Sequence, residues 1–82
     1  MNPVARHILA HIATVATLGE ARRTENAAMR LVWRVGHCGE AAAALWCARR
    51  TRDAVVARLD GRVAHASDLE DDVGRTLTMY GL

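Results

Sequence analysis

The chain has 82 residues and a net charge of +2, enough for one domain and too few for two, and a chain this short buries only a modest share of the surface its unfolded form exposes. Hydrophobic residues make up 51% of it, yet sixteen are alanine and phenylalanine is absent, which excludes a large self-sufficient core and makes self-association or a partner useful. No apolar run approaches the roughly 20 residues that span a bilayer, and two cysteines make no disulfide framework; the expectation is a cytoplasmic protein with no membrane partner.

One helical domain over 1–82 is expected, an all-α bundle of three to four helices at about 3–18, 20–35, 40–59 and 68–80. Asn2 and Pro3 suit the N-cap and first position of a helix, and Gly19 offers a stop. Between them Val4, Ile8, Ile12 and Val15, with Ala5, Leu9 and Ala16, share one face at the helical period. The second helix runs from Glu20 to Val35, where the glycines of GHCG end it. Its expected inner face is Ala21, Ala28, Leu31, Val32 and Val35, with Trp33 packed at the edge of that face.

The third helix spans AAAALWCARRTRDAVVARL to Leu59, and Gly61 closes it. The fourth starts with Ser67 and Glu70 as a capping box, places Asp68, Asp71 and Asp72 in its first turn, and continues through Leu69, Val73, Leu77 and Tyr80. One alternative competes. Asp60-Gly61 sits between alternating apolar residues, the dipeptide of a two-residue hairpin.

All eleven basic residues are arginine, a bias that a GC-rich coding sequence produces without selection for arginine chemistry. Their distribution is uneven: residues 1–62 carry ten arginines against five acids, residues 63–82 one against four, so a basic body ends in an acidic segment. On the third helix Ala41, Ala44, Leu45, Ala48, Val55, Val56 and Leu59 cluster on one side with Arg52 among them. The expectation for Arg52 is an apolar stem packed on the core and a guanidinium in water or paired to an acid of a partner or of the fourth helix. Trp46 projects outward between Arg49 and Arg50, a composition enriched at protein-binding hot spots and in base-stacking platforms. Arg23, Arg30 and Arg34, extended by His37, form a row on the second helix that serves either as a solvated face or as an electrostatic site.

The chemistry of the remaining residues is sparse. His7 and His11 are one helical turn apart, and His37, His65, Cys38 and Cys47 could in principle join them. There is no C-x-x-C pair and no glutamate between the two histidines, as a zinc-hydrolase helix requires. Cys38 beside His37 has the composition of an activated thiol, set against a merely structural cysteine. GHCG resembles the turn of a helix-turn-helix, but the helix after it opens with EAAAAL, where such helices place base-reading residues. No phosphate-binding loop or paired carboxylates occur. The expectation is a non-enzymatic interaction protein without cofactor, metal or small-molecule substrate, acting as regulator, adaptor or phage-type inhibitor on a larger protein or as a homo-oligomer. Its expected binding residues are Trp46, Arg49, Arg50, Arg52, Arg23, Arg30 and Arg34. A nucleic-acid binder is the alternative, and a metal-binding protein or thiol enzyme a distant third.

Overall fold

The structure, a computed structural model, describes residues 2–82. They form four helices, α1 (Pro3–Ile12), α2 (Leu18–Val35), α3 (Gly39–Leu59) and α4 (Val63–Met79), in a body of 36 × 23 × 18 Å. α3, the longest, is packed by each of the other three. That central position explains its composition: buried alanines at 41, 44, 48, 54 and 57, with Leu45 and Cys47, point to several sides rather than one, and small side chains let three neighbours approach closely.

The helix ends obey local rules. Asn2 caps α1, its Oδ1 accepting from the Val4 and Ala5 amides, while its own amide donates to Glu40 Oε2 at 2.7 Å and ties the start of α1 to α3. α1 stops at Ile12 rather than near residue 18. Thr17 then caps α2, its hydroxyl oxygen accepting from the Glu20 amide at 3.2 Å and its O–H donating to Glu20 Oε1. TLGE is thus a helix start of the S/T-x-x-E kind, and Gly19 lies inside α2 rather than ending α1.

Asp60-Gly61 forms no hairpin, and the described residues contain no strand. Gly61 takes a φ of +77°; the Arg62 amide donates to Ala57 O and the Gly61 amide to Arg58 O. This paired capping satisfies the last carbonyls of α3. The chain leaves the cap already helical, so α4 begins at Val63, four residues before the expected Ser67 capping box, and Ser67 lies within the helix. The early start adds Ala66, which packs with Ala54, Ala57 and Leu69.

The main core joins Ile8, Leu9 and Ile12 of α1 to Leu31, Leu45, Val73 and Leu77 with the alanines between them. The expected inner faces are largely realised, with corrections at their ends. Val4, Val35 and Leu59 are exposed, as is Ala16, which lies beyond the end of α1. Trp33 is not packed: 75% of it is exposed.

Candidate interaction surfaces

Glu25 decides what happens to the arginines of α3. It sits on the inward face of α2 with Ala21 and Ala28 and is only 8% exposed, and a buried carboxylate requires partners. Arg52 Nη1 donates to both of its carboxylate oxygens, at 2.7 and 2.9 Å, and Arg49 Nε approaches Oε2 at 3.4 Å. Arg52 also donates to Asp53 at 3.1 Å. The hydrogen bond to Asp53, reinforced by the charge of Glu25, raises the guanidinium above its ordinary pKa. Arg52 therefore pairs with an acid as the sequence suggests, but the acid belongs to the second helix, not the fourth.

Arg50 turns to the other side of α3. Its guanidinium lies 4.4 Å from the centroid of the Trp46 ring and 3.8 Å from Asp72 of α4, and its buried Nε has no hydrogen-bond partner among the described residues. Trp46 is 38% exposed, with the Arg50 guanidinium stacked over its ring. It borders an open hollow of about 630 Å³ with His37, Arg49 and Tyr80. The LWCARRTRD stretch thus pairs its three arginines with acids of neighbouring helices, two with Glu25 of α2 and one with Asp72 of α4, though half of the Arg49 side chain stays in solvent.

The outward face of α2 is different. Arg22, Arg23, Arg30 and Arg34 are all exposed, and none of the four has an ion pair or hydrogen bond among the described residues. At about 100° per residue these four, with Asn26 and Trp33, fall within an arc of roughly 120°. Glu20 and Glu25 lie outside it. Trp33, Arg30 and Arg34 line a hollow of about 470 Å³ closed by Val4 and Ala27. Arg22 and Trp33 were missed by the sequence reading of this face; their angular position was the available signal.

The acids of α4 are remote from this face. Arg50 and Arg58 pair with Asp72 and Glu70, whereas Arg49 and Arg52, on the opposite side of α3, take Glu25 of α2. α2 and α4 therefore flank α3 from different sides, and charge is segregated across the molecule.

The histidines and cysteines do not converge. No group of three or more His, Cys, Asp or Glu side chains among the described residues could hold a metal ion. Cys38 is exposed at the N-cap of α3 and Cys47 is buried; burial pushes the Cys47 thiol up to about 11, against the opposing pull of Arg50. No described helix is long and apolar enough to cross a membrane. Comparison with family models, curated proteins and solved structures finds no match for this chain.

Proposed function

We propose that this chain is a non-enzymatic helical binding protein of the cytoplasm, a regulator, inhibitor or adaptor that docks on an anionic surface of a larger partner through the outward face of α2. One observation carries the reading. Four arginines without ion pairs share a single face with an exposed tryptophan, while Arg49, Arg50 and Arg52 of α3 are engaged within the fold. Holding a row of like charges without acids costs self-repulsion, which an anionic partner relieves. Two free thiols suit a reducing compartment.

The binding residues under this reading are Arg22, Arg23, Arg30, Arg34 and Trp33, with Trp46 and the α3 arginines in a structural role. The test is retention on immobilised heparin, comparing the wild type with two variants of equal net charge. In one, Arg22, Arg23, Arg30 and Arg34 become alanine; in the other, Arg49, Arg50, Arg62 and Arg75 do. The expected outcome is that the first loses retention and the second keeps most of it. Equal losses, or no retention of the wild type at low salt, would reject the α2 surface.

A further inference from the structure

Resting on that reading, we infer that the occupant of the α2 face is single-stranded nucleic acid, with a base stacked on Trp33 and the flanking phosphates held by Arg30 and Arg34. Three observations point there. The Trp33 ring is 75% exposed and shares its hollow with both arginines, so a planar group on the ring lies within reach of two cations. Arg22, Arg23, Arg30 and Arg34 extend the positive charge along the helix, since Arg23 and Arg34 are eleven residues apart and about 16 Å of axial rise separates them. No acid interrupts that track, and the acids of α4 lie on the far side of α3, where they do not repel a strand on α2.

The exposed ring of Trp33 favours this occupant over a carboxylate-bearing chain. Carboxylates of a protein can neutralise the arginines, and a base adds to that a planar face for the exposed ring. Trp33 shares its hollow with Arg30 and Arg34 as well as Val4 and Ala27. An exposed ring beside a cationic track is the arrangement by which strands are held without sequence preference, because every base has a face to stack. A duplex hides those faces.

The experiment is fluorescence anisotropy of a labelled dT12 oligonucleotide over a series of salt concentrations, with an unlabelled duplex of the same length and poly-L-glutamate as competitors. The expected result is binding at about 50 mM salt that weakens steeply as salt rises. Trp33→Ala, which removes an exposed side chain, weakens affinity roughly 5- to 150-fold with little change in salt slope, and Trp33→Phe recovers much of the loss. Replacing Arg30 and Arg34 together flattens the slope by roughly 1.4, about 0.7 for each single-strand phosphate no longer neutralised. Trp46→Ala leaves binding unchanged, and circular dichroism confirms that each variant is helical. A duplex that competes better than the single strand, or a Trp33→Ala protein that binds like the wild type, overturns the inference. Poly-L-glutamate bound through the same arginines while dT12 is ignored overturns it and leaves the anionic-partner reading standing. Loss of dT12 binding that follows the α3 arginines and not those of α2 overturns both.

Discussion

Glu25 shows how one residue sets the role of several others. A carboxylate placed between Ala21 and Ala28 must be buried when α2 packs, and burial without a partner costs more than any single hydrogen bond returns. Arg52, the one arginine on the apolar stripe of α3, is the complementary defect, and the two meet at 2.7 Å. Because Arg52 retains access to water and has Asp53 as a second partner, solvent screening reduces the strength of the pair. Glu25→Ala is expected to lower unfolding stability by about 1–2 kcal/mol in urea titration. Changing Glu25 to leucine together with Arg52 to methionine should recover most of that loss, since an apolar pair replaces an ionic one without stranding a charge. An unchanged midpoint for Glu25→Ala would mean that the contact does not hold α2 on α3.

At the level of elements, the glycines separate two kinds of site. Gly61 ends α3 with a φ of +77°, a conformation in which a Cβ meets the following carbonyl, and Gly61→Ala should cost about 1 kcal/mol. Gly74 lies inside α4, has no positive φ, and a Cβ built on it meets nothing within 4 Å. Gly74→Ala should therefore stabilise the protein by about 0.5–1 kcal/mol, by improving helix propensity and restricting the unfolded chain. Thermal melts of the two variants, which move in opposite directions, check both; a drop for Gly74→Ala would show that something must occupy the space beside it. Asp60-Gly61 also shows why the same dipeptide serves two structures. A left-handed glycine after a polar residue suits a hairpin turn and a helix C-cap alike, and the helical pattern of Ala54, Ala57 and Ala66, not the dipeptide, selects the cap.

For the molecule as a whole, the shortage of large core residues persists after folding. The largest fully buried side chains are Leu9, Leu31 and Cys47, while Leu59, Val63 and Met79 remain exposed. Burying part of this surface between copies would add stability that the single chain lacks. Light scattering at micromolar concentration is expected to report a dimer or larger species, with a melting temperature that rises with protein concentration. A monomer whose melt is independent of concentration would show that alanine-mediated packing around α3 suffices.

The sequence by itself determined the helical class, a bundle of three to four helices, most inward positions of α1 and α4 and the basic-to-acidic gradient along the chain. Each follows from periodicity and composition, which act locally. Helix starts are partly legible: Asn2-Pro3 signals the start that forms, while TLGE carries an equally good signal for α2 that the glycine within it obscures. What only the tertiary structure decided was which arginines are available. On the isolated third helix Arg49 and Arg50 project outward and Arg52 lies on the apolar side, yet all three pair with acids of neighbouring helices, Glu25 and Asp72, which lie 24 to 27 and 22 residues away along the chain. Arg23, Arg30 and Arg34 form a row in the sequence already, and the packing leaves that row, with Arg22, exposed and without ion pairs among the described residues. Ion pairing depends on what is brought near in space, and that is set by the packing of α2, α3 and α4 rather than by any one helix alone.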